Sequence, residues 1–136
     1  MKSKIIDFQK ILYPEEYPSD YIVTYPLFNN ELKELIEKSG YIKIFKVKYY
    51  KSLRFLEQLG RNCVMQPNIF EKLVKSDGIY SMILKGEKNI RILFSFEYVK
   101  NKEKVVIYNC FQERRTKDYS KEIILAKKRR KDFFDA

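Results

Sequence analysis

Apolar residues recur along the first half of the chain at spacings that predict two helices. The segment NNELKELIEKSG (29–40) places three aliphatic side chains on one helical face, with an asparagine to cap its start and Gly40 to end it. Residues 41–59 are rich in β-forming types, yet their apolar residues recur every three or four positions, which predicts a second helix. This apolar stripe consists of Ile42, Phe45, Tyr49, Leu53, Leu56 and Leu59.

Other apolar runs have the character of strands. The β-rich run DYIVTYP covers residues 20–26 and stops at a proline. Three further runs, at 79–85, 90–99 and 104–111, are separated by polar connections of hairpin length. Between the second helix and these runs, over 61–78, we expect an irregular link and a short turn.

The end of the chain returns to helical spacing over residues 119–134, which include five consecutive cations at 127–131. The order of elements predicts an α+β protein with a small antiparallel sheet, two N-terminal helices and a basic C-terminal helix packed against it. Residues 1–19, with two Tyr-Pro pairs, form a predicted N-terminal extension to a domain of residues 20–136.

Composition indicates one folded domain with an uneven charge. The chain has 136 residues, 45% of them hydrophobic, and a net charge of +10. Residues 1–40 contain five Lys against seven Asp or Glu, and the remainder contains 23 basic against 11 acidic residues. Such a field favours a polyanionic partner such as nucleic acid or the ribosome. The alternative is a basic protein whose charge serves no partner.

Several classes of site and location are disfavoured by what the sequence contains. It has no histidine, which excludes His-based triads and His-ligated metals. Cys63 and Cys110 lack metal-ligand spacing and are expected to be reduced, buried thiols. No stretch has the length and apolarity of a membrane span, and the first sixteen residues lack the apolar core of a signal peptide. We expect a cytoplasmic protein with no metal, cofactor or membrane partner.

Basic residues cluster where the last strands end. The strand alternation directs Arg91 away from the face that carries the isoleucines and phenylalanines. Lys85 ends the preceding strand, and Arg114 and Arg115 follow the next one, so these cations could converge on consecutive phosphates. Tyr119 is placed to stack on a base or to transfer a proton. The alternative for this basic bend is a solvated turn.

Four short motifs follow one another from residue 78 to 126. The matching residues are Gly78-Ile79-Tyr80, Ile90-Arg91-Ile92-Leu93-Phe94, Phe111 with Arg114 and Lys117, and Glu122-Ile123 with Ala126. In this order they resemble the RelE/HigB superfamily of toxins, in particular its HigB-like, phage-derived branch. The likeness covers about residues 20–134 and is specific chiefly from residue 78 onward.

Four positions depart from the family's motifs. Ser81 and Ile83 stand where the first motif has Glu and Arg. Glu113 replaces the first Lys of a Lys-Lys pair, and Tyr119 replaces the Pro before the last helix. Two alternatives follow: Arg115 and Tyr119 compensate for the missing arginine, or the chain has little or no nuclease activity.

The resemblance implies a RelE-like fold and a toxin of a type II toxin–antitoxin system that cleaves mRNA on the ribosome. In such chemistry the 2′-hydroxyl attacks the adjacent phosphate, cations stabilise the developing charge, and no metal is needed. The expected catalytic residues are Arg91 and Arg114 on the phosphate, with Tyr119 or Glu113 in proton transfer. Further RNA contacts are expected from Lys85, Arg115 and Lys117.

The resemblance also implies partners. These are mRNA in the ribosomal A site and a cognate helix-turn-helix, HigA-like antitoxin. For the extension 1–19 there are two alternatives: it packs on the edge of the domain, or it helps to bind the antitoxin. The cationic run is either a solvated helix face or a dock for ribosomal RNA through Lys127, Lys128, Arg129 and Arg130. The rival hypothesis is a non-enzymatic, basic, phage-derived protein that binds nucleic acid or a host factor.

Overall fold

The computed structural model describes residues 7–86, 88–115 and 117–134. Within these ranges the chain forms one five-stranded sheet, with two helices packed on one face and a third helix on the other. In chain order the elements are β1 (Ile22–Thr24), α1 (Phe28–Ile36), α2 (Ile42–Leu59), β2 (Phe70–Lys72), β3 (Tyr80–Leu84), β4 (Ile90–Val99), β5 (Lys102–Gln112) and α3 (Asp118–Phe134). The predicted α+β class, the two N-terminal helices and the C-terminal helix are confirmed.

The sheet is mixed, so the prediction of an antiparallel sheet is wrong in one strand. Its order is β1-β5-β4-β3-β2, and β2 to β5 pair antiparallel with their neighbours. β1 instead runs parallel to β5, with Ile22 opposite Val105. The chain between β1 and β5 includes both N-terminal helices and the other three strands, and this long connection is what permits a parallel pair.

The alternation of β4 separates the two faces as predicted. Ile92 and Phe94 belong to the core beneath α1 and α2, which we call the first face. Leu93 belongs to a smaller core beneath α3, on the second face, and Arg91 shares its side of the strand. The second face is therefore covered in part by α3 rather than left open.

The helical prediction for residues 41–59 is confirmed by α2. Phe45, Tyr49, Leu53 and Leu56 are all fully buried against the first face. Their spacing keeps them on one side of a helix, and burial of that stripe outweighs the β-propensity of the individual residues.

The predicted asparagine cap of α1 is wrong. Leu27 occupies the cap position and its side chain makes no capping hydrogen bond. Asn29 lies within the first turn, where its Oδ1 accepts a hydrogen bond from the Leu12 amide and its Nδ2 donates one to the Lys10 carbonyl, both at 2.9 Å. The asparagine therefore stabilises the N-terminal segment rather than the helix end.

The described part of the N-terminal extension, residues 7–19, packs on the domain. Ile11 is fully buried in the core of the first face. Gln9 forms an antiparallel bridge with Thr24, so the segment continues the sheet beside β1. Residues 1–6 of the predicted extension lie outside the described part of the chain.

The short turn predicted around FEKLVKSDG (70–78) instead begins with a short strand that the sequence pattern did not reveal. β2 pairs with β3 through Phe70 opposite Met82. In β2 only Phe70 is buried, and the other two residues are exposed, so no local alternation distinguishes the strand. Residues 70–72 form a strand because they pair with β3.

Candidate active site

One end of the sheet brings together the ends of three strands. In the ladders, Leu84 of β3 lies opposite Ile90 of β4, which lies opposite Gln112 of β5. Lys85, Arg91 and the residues after Gln112 therefore meet at the same end. This is the convergence that strand order predicts, and it places the basic bend beside the start of β4.

Arg91 lies at this end, buried on the second face. Its side chain is 10% exposed, and its Nη2 is 2.8 Å from Oε1 of Glu113. Its Nη1 donates to the Ile90 carbonyl at 3.2 Å. The buried Nε makes no hydrogen bond of ordinary geometry within the described part of the chain. The guanidinium is thus held rigidly and retains donor capacity for an anion.

Tyr119, in the first turn of α3, lies over the same place. Its ring packs edge-on against Phe111 with centroids 5.2 Å apart, and its hydroxyl is 3.1 Å from Oγ of Ser81. Burial raises the pKa of Tyr119 above its ordinary value, while the hydrogen bond with Ser81 and the charge of Arg91 act in the opposite direction. The hydroxyl is therefore protonated at neutral pH and can donate its proton.

The bend between β5 and α3 is organised by a carboxylate of its own. Asp118 accepts hydrogen bonds from the backbone amides of Arg114 and Arg115, each at 2.9 Å. These two amides lower the pKa of Asp118 below its ordinary value. The side chains of Arg114, Arg115 and Lys117 are left exposed to solvent around the bend. The bend thus presents cations outward while the backbone amides of Arg114 and Arg115 are already occupied.

The cationic run of α3 is divided between three environments. Lys128 is exposed. Lys127 forms an ion pair with Asp77 at 3.1 Å, and Arg130 donates to the backbone carbonyl of Asp77 at 2.8 Å. Arg129 is buried, with its guanidinium engaged inside the protein. Of the four residues, Lys128 is therefore the one best placed to meet an external phosphate.

Arg129 faces inward and joins α3 to α1. Its Nη1 and Nη2 bind the two carboxylate oxygens of Glu31 at 2.7 and 2.6 Å, and Nη1 also donates to the Tyr108 carbonyl at 2.8 Å. The helical periodicity of the run would have shown that one of four successive cations must face the sheet. The acid that receives it, 98 residues away, has no sequence signal.

Ser81 is a site residue that sequence reasoning treated only as a lost glutamate. Its contact with Tyr119 joins two of the four positions that depart from the RelE/HigB pattern. The other two departures, Ile83 and Glu113, are respectively the ladder partner and the ion-pair partner of Arg91. The joint occurrence of these substitutions was the available signal.

Comparison of the chain with protein-family models, with curated proteins and with solved structures finds no match. Among the described residues no helix has the length and apolarity needed to cross a membrane. The same residues contain no cluster of three or more His, Cys, Asp or Glu able to hold a metal ion. Cys63 and Cys110 are free thiols, and burial raises the pKa of Cys63 to about 11.

Proposed function

We propose that this protein is a toxin with a RelE-like fold that cleaves mRNA on the ribosome. The observation that supports this most is the grouping of Arg91, Glu113 and Tyr119 at one end of the sheet, beneath the exposed Arg114. This group combines a fixed cation, a carboxylate and a protonated phenol, which are the components that metal-independent cleavage of RNA requires.

In the proposed reaction the RNA 2′-oxygen forms a bond to the adjacent phosphorus, and the bond from phosphorus to the 5′-oxygen breaks. The carboxylate of Glu113 takes the proton of the 2′-hydroxyl, and Tyr119 gives its proton to the departing 5′-oxygen. Arg91 and Arg114 stabilise the negative charge on the phosphate, a role that suits arginine because it stays protonated. The products are a 2′,3′-cyclic phosphate and a 5′-hydroxyl.

The substitutions at the four departing positions support a rearranged site rather than a lost one. Where the family pattern has its acid on β3, this chain has Ser81, and a carboxylate reaches Arg91 from Glu113 at the end of β5 instead. Tyr119 supplies a hydroxyl that a proline cannot, and Ser81 binds it. Three of the four substitutions, at Ser81, Glu113 and Tyr119, thus contribute contacts to the same small group of atoms.

A helix-turn-helix antitoxin of the HigA type completes the proposal, as the partner that neutralises the toxin in the cytoplasm. It would act by covering the basic face or by blocking entry to the ribosomal A site. Co-expression with the product of a neighbouring helix-turn-helix gene should restore the growth of cells that express this chain, and the two proteins should co-purify.

One observation favours the rival function, a binding module without nuclease activity. Arg91 is already paired with Glu113, and Ile83 replaces a cation beside it, so the net positive charge at the buried centre is small. A protein of this kind would bind RNA through its exposed arginines and lysines and leave it intact.

Mapping of 5′ ends on a translated message, after induction of this chain alone in bacteria, separates the two functions. We expect in-frame cuts that require translation. Tyr119→Phe should lower the cleavage rate roughly 100-fold or more because it removes the proton donor but keeps the ring. Arg91→Ala should abolish the cuts, and Arg114→Ala should weaken them.

The matched control is Lys100→Gln, which removes an exposed cation at the opposite end of the sheet and should leave cleavage unchanged. Thermal unfolding of each purified variant shows whether it is folded. Intact message and normal growth, with the parent protein folded, would contradict the nuclease and favour the binding module. Full activity of folded Arg91→Ala would show that the residues are wrongly assigned.

A further inference from the structure

A cavity of about 210 Å³ lies at the edge of the sheet, next to the candidate active site. The β2–β3 ladder ends at Phe70 opposite Met82, beyond which the Ile83 amide donates to the Ile69 carbonyl at 2.7 Å and the end of β3 lies at the edge of the sheet. α2 passes beside this edge. The cavity between them, which we call the notch, is lined chiefly by Lys48, Lys51, Asn68, Ile69, Ile83 and Lys85.

The notch has a cationic rim and an apolar floor. Lys48, Lys51 and Lys85 are exposed, whereas Ile69 and Ile83 are half-buried. The ammonium of Lys48 donates to the Lys85 carbonyl, which holds its charge at the rim. No carboxylate is among the described residues that line the notch. Within the described part of the chain, Lys48, Lys51 and Lys85 form no ion pair. Such a lining suits a nucleotide, with phosphate at the lysines and sugar or base on the isoleucines.

The notch is continuous with the site through the β3–β4 ladder. Ile83, which lines it, is the direct ladder partner of Arg91. Adjacent strands lie about 4.8 Å apart, so the notch opens one strand away from the backbone of Arg91. A strand of RNA with one phosphate at Arg91 would therefore meet the lysine rim with its neighbouring nucleotide.

We propose that the notch binds the nucleotide that flanks the scissile phosphate in single-stranded RNA. This rests on the proposed function and extends the substrate contacts from the basic bend, across β3, to α2. Lys48 and Lys51 are the residues it adds to the interface. The apolar floor tolerates any base, because contact with the flat face of a base does not depend on its hydrogen-bonding edge.

Binding of 2′-O-methyl oligonucleotides of increasing length, measured by fluorescence anisotropy over a range of salt concentrations, tests the notch. The blocked 2′-oxygen prevents cleavage. Lys48→Gln/Lys51→Gln removes two charges with little change in helix propensity. We expect weaker binding of the longer oligonucleotides and a salt dependence shallower by about 1.4 in the log–log slope, since each phosphate contact in a single strand contributes about 0.7.

The matched control is Lys100→Gln/Lys102→Gln, which removes the same charge at the opposite end of the sheet, from the turn after β4 and the first residue of β5. The control should keep the slope of the parent. Equal slopes in the parent and the notch variant, or equal losses of affinity in both double variants, would overturn the proposal that the notch binds RNA. Cleavage by the parent would still support the candidate active site in that case. If the parent neither binds these oligonucleotides nor cuts message, the proposed function fails and the notch with it. Preference for an acidic peptide over RNA at the notch would also overturn it.

Discussion

Arg91 brings a full positive charge to a place that little water reaches, and this cost is offset by specific contacts. Glu113 supplies the opposite charge at 2.8 Å, and the Ile90 carbonyl accepts a second hydrogen bond. A buried charge is tolerated when it has a partner of opposite charge. Removal of that partner leaves an uncompensated buried charge, which destabilises the folded state. The same pair therefore determines both the stability of this end of the sheet and the charge that a substrate would meet.

At this scale we predict that Glu113→Gln lowers the free energy of unfolding by about 1–3 kcal/mol, because it removes the countercharge of Arg91. The value is below that of a fully buried pair since the Glu113 side chain is 24% exposed. Urea unfolding measures it. Glu71→Gln, at an exposed position on β2, is the control and should change stability by less than about 0.5 kcal/mol. Equal effects of the two substitutions would show that the ion pair contributes nothing.

At the scale of elements, α3 is fastened to α1 by one side chain. The guanidinium of Arg129 binds both oxygens of Glu31, and its carbon lies 4.6 Å from the centroid of the Tyr25 ring. A planar, bidentate pair of this kind orients the two helices as well as joining them. The helix that carries Tyr119 is therefore positioned in part by a contact far from the site.

We predict that Arg129→Met lowers the free energy of unfolding by roughly 2–4 kcal/mol, because Glu31 loses its partner while the apolar volume is largely kept. Lys128→Met, at the exposed neighbouring position, should cost less than about 0.5 kcal/mol. Denaturant unfolding of both variants gives the comparison. Adding Glu31→Gln to Arg129→Met should recover part of the loss, because it removes the unpaired charge. A loss of stability in Arg129→Met no larger than that in Lys128→Met would show that the Arg129–Glu31 pair does not hold α3 to α1.

At the scale of the whole molecule, buried tyrosines couple stability to alkaline pH. Burial, helped by the charge of Glu103, raises the pKa of Tyr21 to about 12. Burial also raises the pKa of Tyr49 and Tyr108. The folded chain thus keeps protons that the unfolded chain releases near pH 10. Because the unfolded state then binds fewer protons, stability must decrease as pH rises above that value.

We predict a progressive loss of stability between about pH 10 and 12, the interval between the ordinary tyrosine pKa and that of folded Tyr21. Tyr21→Phe should make this decrease shallower because it removes one of the groups responsible. Tyr98→Phe, at a side chain that is 71% exposed, is the control and should leave the slope unchanged. Denaturant unfolding at several pH values checks this, and identical slopes in all three proteins would contradict it.

Some helices and strands could be predicted from the sequence and others could not, and the difference lies in whether the element depends on distant partners. α2 and β4 could be predicted because each has a periodicity that only one backbone geometry places on a single face. β2, with one buried residue, and the parallel pairing of β1 could not, because both depend on partners distant in the chain. The same holds for Asn29, which fits a helix cap locally but binds the N-terminal segment.

The candidate site shows the same division. Strand order alone placed Arg91, Arg114 and Tyr119 near one end of the sheet, because antiparallel neighbours bring alternate strand ends together. The bond between Ser81 and Tyr119 and the burial of Arg129 were decided by the packing of α3 on the second face. The pairing of Glu113 with Arg91 was decided by the register of β4 and β5. Periodicity depends only on residues that are neighbours in the sequence, so it can be read without the fold. The partner of a buried polar side chain depends instead on which distant group the fold brings into the same low-dielectric surroundings.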